Sequence, residues 1–221
     1  MVTADDGHTV ETILLIAAER REFAGFTPHL NALRELQLGI FYAAAGTRNG
    51  DTFLLAANGC GGELASRAFR AAAAFAPPRL VVSTGFCGAL DPSLAPGAIV
   101  DSRTARFATA GEVVLTAAAK RRLRKQTGAA AVDMESGQIE RAAAAHGIPF
   151  LAIRAVTDTA GEDLAIDLNS ALDARGRFVA SRVIREALRR PLGGVPELVK
   201  LFRRSRLAAR NLGDYLAGCR F

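Results

Sequence analysis

Two acids stand where apolar runs end. In Ala131-Val132-Asp133-Met134-Glu135-Ser136 a carboxylate sits where a short apolar strand gives way to a helix. Further on, Arg154-Ala155-Val156-Thr157-Asp158 closes a second apolar run on another carboxylate and carries an arginine inside it. Glu135 offers two acceptor oxygens, which suit the vicinal hydroxyls of a ribose. The same residue also suits a first helical turn, where a carboxylate complements the helix dipole and Ser136 acts as a cap. Asp158, at the mouth of a buried strand, can protonate a leaving group if burial raises its pKa. It can equally begin and solvate the turn Asp158-Thr159-Ala160-Gly161. Arg154, if buried, needs a nearby carboxylate; on an edge strand it is a surface charge.

Two glycine clusters and one charged run are further candidates. Asn58-Gly59-Cys60-Gly61-Gly62, just before a helix, can present backbone N–H groups to an anion. Gly85-Phe86-Cys87-Gly88 can let a ligand approach the backbone closely. Both also read as tight strand-to-helix turns, and neither is a Walker or dinucleotide motif. Glu19-Arg20-Arg21-Glu22 follows the first strand. It is either an exposed helical turn or a source of a general base and phosphate-binding arginines.

Those residues need elements to hold them. The pattern predicts strands at 12–18, 40–44, 52–57, 79–84, 98–101, 129–134 and 149–156, with a short one at 113–115. Asn49-Gly50-Asp51 reads as a hairpin turn. Helices are predicted at 19–36, 63–75, 117–126, 136–146 and 170–189, then a linker at Pro191 and Gly193-Gly194 and a last helix at 196–216. Strands alternating with helices imply an α/β fold: a single domain over 1–190 with a mostly parallel, mixed central sheet between helical layers. Residues 191–221 form a basic amphipathic tail. In such sheets ligands sit beyond the strand C-termini, where Gly85, Met134-Glu135 and Asp158 all fall.

Composition narrows the classes. The chain has 221 residues, half of them apolar, no Trp and two Tyr, so an aromatic platform for nucleic acid is not expected. Cys60, Cys87 and Cys219, like His8, His29 and His146, are scattered, which predicts no metal site and no disulfide framework. No apolar run is long enough for a membrane span, and the start Met1-Val2-Thr3-Ala4-Asp5-Asp6 is acidic, unlike a signal peptide. A soluble cytoplasmic protein is the expectation. Residues 189–221 hold eight arginines and lysines against Glu197 and Asp214, so the whole net charge of +6 sits there.

Taken together, the segments resemble the nucleoside phosphorylase/nucleosidase superfamily. The resemblance rests on Asn58-Gly59-Cys60-Gly61-Gly62, on Ser83 to Val100 (STGFCGALDPSLAPGAIV), on Val132-Asp133-Met134-Glu135 and on Ile153-Arg154-Ala155-Val156-Thr157-Asp158, in the family's order. It implies an enzyme that breaks a ribosidic C–N bond of a purine nucleoside, without a cofactor. Glu135, with the backbone at Met134, then holds the ribose hydroxyls, and Asp158 protonates the base at N7. Val132 and Asp133 flank the sugar, Gly85, Phe86, Cys87, Gly88 and Thr157 line the site, and Val113 and Val114 lie beside the base. Arg154 becomes an internal ion-pair partner. A homodimer is implied as well.

The nucleophile separates the subclasses. In methylthioadenosine/S-adenosylhomocysteine nucleosidases it is water, activated by a glutamate to which Glu22 corresponds. In phosphorylases it is phosphate as co-substrate, for which Arg20, Arg21 and Gly59 are the candidates here. An arginine is missing before the second glycine cluster, and Phe86 replaces a small polar residue. The stretch between Arg106 and Val132 is trimmed, which opens the pocket to a bulky 5′ group. This trimming, Val132-Asp133-Met134-Glu135-Ser136 and the arginine-rich tail are most similar to the hopanoid-associated phosphorylases, which implies adenosylhopane as substrate. Futalosine or methylthioadenosine hydrolysis is the alternative enzyme reading, and a nucleoside-binding module without turnover the non-enzymatic one. The 196–216 helix carries an apolar stripe from Leu198 to Leu216 opposite Lys200, Arg203, Arg206 and Arg210. It fits either an anionic inner membrane surface or the body or a sister subunit.

Overall fold

The computed structural model describes residues 12–173, 175–189 and 191–221. The polar start at 1–6 lies outside them. A sheet of nine strands forms the centre. β1 (Thr12–Ala17), β4 (Asp51–Ala57), β5 (Pro78–Ala89) and β9 (Phe150–Asp158) run parallel in the order β4-β1-β5-β9. Antiparallel wings extend it. β2 (Asn31–Glu35) and β3 (Tyr42–Arg48) lie beyond β4, and β6 (Ile99–Asp101) pairs with β9. β8 (Ala131–Asp133) pairs antiparallel with the end of β5 and parallel with β7 (Phe107–Thr109).

Successive side chains of a strand point to opposite faces, and β1 is apolar on both. Ile13, Leu15 and Ala17 join one core with Phe23, Phe26, Ala208, Leu212 and Leu216. Leu14 and Ile16 join another with Ala65, Phe69, Ile139 and Ala143, from α1 (Gly62–Phe75) and α3 (Ser136–Ala145). This is a three-layer α/β/α arrangement, in which α2 (Ala117–Thr127), α4 (Ala180–Arg189) and α5 (Pro191–Gly218) complete the helices. Asn49 and Gly50 both have positive φ at the β3–β4 turn, the geometry a tight hairpin demands.

Several elements differ from the sequence pattern, each for a local reason. The expected helix at 19–36 is two 3-10 turns, Arg20–Phe23 and Thr27–His29, followed by the edge strand β2. Pro28 lacks the N–H a continuing helix needs. Phe23, Phe26 and Leu30 are buried as their spacing suggested, but Leu33 is 40% exposed. β5 does not stop at Gly85; it runs through Gly88 to Ala89, so this cluster is a strand interior and not a turn. Residues 113–115 form no strand; β7 pairs with β8 instead. The helix expected from 170 begins at Ala180. Before it, Asp167 accepts the N–H groups of Asn169 and Ser170, and Asp173 those of Arg175 and Arg177. Such side-chain bonds compete with helical ones.

The expected linker is the first turn of α5. Proline is tolerated where the helical N–H has no partner. Gly194 serves close packing: a Cβ there would meet the Ala187 carbonyl oxygen at 2.2 Å. Farther along, α5 is part of the body. Asn211 donates to the Gly97 carbonyl (2.9 Å), Tyr215 to Asp101 Oδ2 (2.9 Å), and Arg48 to the Ala217 carbonyl (3.0 Å). The apolar stripe divides: Ala208, Leu212 and Leu216 are buried, whereas Val199 and Phe202 are 46% and 63% exposed.

Two glycines press α5 onto the segment after β1. A Cβ on Gly25 would meet the Ala209 carbonyl oxygen at 2.1 Å, and one on Gly213 would meet the Gly25 backbone at 2.0 Å. In an unconstrained helix, Gly→Ala stabilises by roughly 1 kcal/mol. Here we expect Gly213→Ala to destabilise by about 1–3 kcal/mol through overpacking. Urea unfolding measures the sign; a raised midpoint would contradict the close approach.

Candidate active site

The site grows from the C-terminal rim of the parallel strands. β1 delivers the chain to Ala18, and the 3-10 turn after it swings Glu22 back under the rim. Glu22 Oε2 accepts from the N–H groups of Ala18 (2.8 Å) and Glu19 (3.0 Å), and Oε1 from that of Phe86 (3.1 Å). Gly85, at φ +125°, leaves the space: a Cβ there would lie 2.8 Å from the Glu22 carboxylate. Burial pushes the Glu22 carboxyl above its ordinary range, against the opposing pull of Arg154.

Arg154 lies at the middle of β9 and is 1% exposed. Its Nε is 2.6 Å from Asp133 Oδ2 and its Nη1 3.2 Å from Glu135 Oε2. Nη2 donates to Ser83 Oγ (2.8 Å) and Nη1 to the Phe86 carbonyl (3.2 Å). The arginine is thus the buried, paired one and not an edge charge. Burial works against its proton, but Asp133, Glu135 and Glu22 more than offset that and raise its pKa.

Asp133, at the end of β8, rather than Ser136, closes the N-terminus of α3. Its Oδ1 accepts from the N–H (3.1 Å) and hydroxyl (2.8 Å) of Ser136. Glu135 is released from helix-dipole duty. It is 4% exposed, and its Oε1 accepts from the Gly61 N–H at 2.9 Å. Burial raises its pKa to about 7, with Arg154 pulling the other way.

Asp158 ends β9. Gly88 makes room for it, since a Cβ there would sit 2.9 Å from Asp158 Oδ2. Thr157 donates its hydroxyl to Oδ1 (2.9 Å), and the Lys120 ammonium lies 2.5 Å from Oδ2. Two residues of β5, Phe86 and Cys87, lie between Gly85, the seat of Glu22, and Gly88, the seat of Asp158.

Between them opens a cleft of about 820 Å³, counting its open mouth. Glu22, Phe86, Cys87, Gly88, Val113, Val114, Val132, Asp133, Met134, Glu135, Thr157 and Asp158 line it together. Gly85 and Arg154 stand behind its wall. Arg20 is elsewhere: its guanidinium pairs with Glu35 (2.7 Å) and covers the Tyr42 ring. Gly59 is no anion donor, because its N–H is bonded to the Ala18 carbonyl (2.8 Å). Arg21 reaches the cleft, paired with Glu19 Oε2 at 2.5 Å and stacked over Phe178. Burial pushes the thiols of Cys60 and Cys87 up, so both stay protonated. Among the described residues no group of three or more His, Cys, Asp or Glu is placed to hold a metal ion.

The supports of the site carry few signals in the residue pattern. Lys120 belongs to a helix that reads as basic and solvated; its one signal is the i, i+3 spacing from Ala117, which puts it on the inward face. Asn169 clamps Val113 with two bonds, accepting from its N–H (2.8 Å) and donating to its carbonyl (3.1 Å). Asp163 accepts the Ala117 N–H (2.7 Å) at the start of α2. Glu162 ties the loop after Asp158 to α5 through Lys200 (2.6 Å) and Arg204 (2.5 Å), and their hydrogen bonds overcome burial to hold its pKa at about 2.

The phosphorylase superfamily profile matches residues 12–106 and 100–189. No curated protein matches the sequence significantly. Among solved structures, the chain is similar to the 5′-methylthioadenosine/S-adenosylhomocysteine nucleosidase of Neisseria meningitidis, solved with methylthio-immucillin-A. The TM-score is 0.71 at 17% identity, covering 94% of this chain and 97% of that one. It is also similar to the S-adenosylhomocysteine nucleosidase of Streptococcus pyogenes, with a TM-score of 0.69 at 15% identity over 97% and 100% of the two chains. The futalosine hydrolase of Helicobacter pylori gives 0.68 at 14% identity, over 95% and 98%. These likenesses show the fold, and the profile, which spans most of the chain, shows the family: the chain belongs to the phosphorylase superfamily.

Proposed function

We propose that the protein hydrolyses the N-ribosidic bond of an adenosine-type nucleoside, with water as nucleophile. The observation that carries this reading is the caged Glu22 carboxylate, which faces the cleft with three backbone N–H bonds and a raised pKa. Such a base takes a proton from water near neutral pH. A phosphate nucleophile would need cationic donors. Among the described residues Arg21 is the cation that lines the cleft, and Glu19 already pairs with it.

In the proposed reaction the C1′–N9 bond breaks with its electron pair passing to the base, which takes a proton at N7 from the Asp158 side. The sugar becomes oxocarbenium-like, and the carboxylates around it stabilise that charge. Water adds to C1′ and its proton passes to Glu22. Glu135 accepts the ribose hydroxyls, held in place by the Gly61 N–H and Arg154.

The 5′ substituent is proposed to be bulky and lipid-linked, as in adenosylhopane. Two features support this: the trimmed stretch between Arg106 and Val132, which the sequence reading takes to open the pocket, and the α4–α5 edge, which presents apolar side chains outward. Ile184, Leu188, Val195, Val199 and Phe202 are all exposed there, beside Arg203 and Arg206. Such an edge fits an anionic membrane surface. Among the described residues no helix is long and apolar enough to cross a membrane.

Purified protein incubated with a panel of 5′-substituted adenosines is expected to release adenine. Glu22→Gln, Glu135→Gln and Asp158→Asn should each lower kcat/KM at least 100-fold while keeping the wild-type circular dichroism. Adenosine binding with no base release would favour the binding-module reading; full activity in the variants would remove the assignment. The raised Glu135 pKa sets the pH dependence. A carboxylate whose pKa lies at about 7 is protonated below that point, so kcat/KM should climb through pH 7 and level off above it. A plateau already reached at pH 5 would contradict the burial argument. On vesicles rich in anionic lipid, Phe202→Glu should reduce binding and turnover of a lipid-linked substrate and leave methylthioadenosine cleavage unchanged. Equal turnover of both substrates by that variant would separate α5 from substrate capture.

A further inference from the structure

We propose that Lys120 is a positioning residue of this reaction, acting through Asp158: it fixes one carboxylate oxygen and holds the proton that Asp158 passes to the departing base. The inference rests on the reading above and adds a residue to it. Lys120 has no exposed surface, although Arg121, Arg122 and Lys125 beside it on α2 are exposed. A lysine buried at that depth is costly unless paired. All its donors turn to one short segment: Asp158 Oδ2 at 2.5 Å, the Thr159 carbonyl at 2.8 Å and the Glu162 carbonyl at 3.5 Å.

The helix that carries Lys120 cannot drift from that segment. Asp163 accepts the Ala117 N–H at the first turn of α2, and Thr116 caps it by accepting from Ala119. The loop is in turn tied to α5 through Glu162. Lys120 does not line the cleft; it stands behind Asp158, on the side away from substrate. With Thr157 on Oδ1 and Lys120 on Oδ2, the carboxylate is held at both oxygens. The pair is therefore fixed at both carboxylate oxygens, and the ammonium is the source of the transferable proton.

The proton balance closes. As the C1′–N9 bond breaks, a proton moves from Lys120 Nζ to Asp158, and from Asp158 to N7 of the base. Lys120 is left neutral. Water adds to C1′ and gives its proton to Glu22. Free base and free sugar leave, and solvent returns one proton to the Lys120–Asp158 pair and removes one from Glu22.

The groups that face the pair can be named. Cys87 lies on β5 and stays protonated through burial; Glu162 is held ionised by Lys200 and Arg204; Asp163 is committed to the α2 terminus. Across the cleft stand Glu22, Glu112, Asp133 and Glu135, with Arg154 behind them.

The test compares kcat, KM and pH profiles of wild type, Lys120→Gln and Lys120→Arg, with circular dichroism to establish folding. Glutamine offers two N–H donors on a shorter side chain, without charge or a transferable proton, and arginine keeps the charge but does not give it up. Both variants are expected to lose about 100-fold in kcat with KM little changed. The pH profile of kcat should differ from wild type in Lys120→Gln, because no ammonium then supplies the proton that Asp158 passes on. In the Asp158→Asn background, Lys120→Gln should cost nothing more. Wild-type kcat and pH profile in either folded variant would overturn the proposal. So would the same loss with Asp158 absent, which would mark Lys120 as a scaffold residue. If wild-type protein releases no base from any nucleoside, the hydrolase reading itself falls and the role of Lys120 with it. Turnover by wild type with no effect of Lys120 removes this inference alone.

Discussion

A single buried guanidinium sets the geometry of the site. Arg154 on β9 reaches Asp133 at the end of β8 and Glu135 at the start of α3, and its field acts on Glu22 after β1. Segments distant in sequence are thereby fixed around one point. Removing one partner of such a cluster typically costs about 3–5 kcal/mol, because the charges left behind have no water. The cluster is also unbalanced. Three carboxylates face one arginine, so full ionisation is unfavourable, and burial raises both Glu22 and Glu135. That imbalance makes a structural ion cluster useful to chemistry near neutral pH.

The second constraint is space along β5. Gly85 and Gly88 flank Phe86-Cys87 on β5, and each leaves out a side chain that would strike a carboxylate. Gly85 seats Glu22 and Gly88 seats Asp158. The same strand therefore sets the spacing between these two carboxylates. The Phe86 N–H lies between them and binds Glu22, while the Phe86 carbonyl binds Arg154. α5 closes the arrangement from behind, pressed against Gly25 on one side and tied by Arg204 to the loop after Asp158 on the other.

Much of this was legible before the structure. The alternation in β1, the hairpin at Asn49-Gly50, and the acids at the ends of β8 and β9 all carry periodic or positional signals. Arg154, inside an apolar run, was open between a buried pair and an edge charge, and it is the buried one. What was hidden depended on tertiary packing. Nothing in Glu19 to Leu36 shows that the chain must lie against α5, and Pro28 was the one local warning against a helix there. Gly85 and Gly88 read as a turn, since a glycine that admits a distant carboxylate looks the same in sequence as one that bends the chain. Gly194 read as a linker for the same reason. Lys120 was least visible, because the spacing from Ala117 is the one sign in a basic helix that it points inward, and its partner lies on another element.

The open chemical question is the nucleophile, and the proposed hydrolysis answers it with water. In that reaction Glu22 presents water and no phosphate takes part. The most direct measurement is proton NMR of the sugar product formed from an adenosine-type substrate in phosphate buffer. The account predicts a free reducing sugar with an unsubstituted C1 hydroxyl, formed at the same rate with or without phosphate. Ribosyl 1-phosphate as product, with no turnover when phosphate is absent, would contradict it.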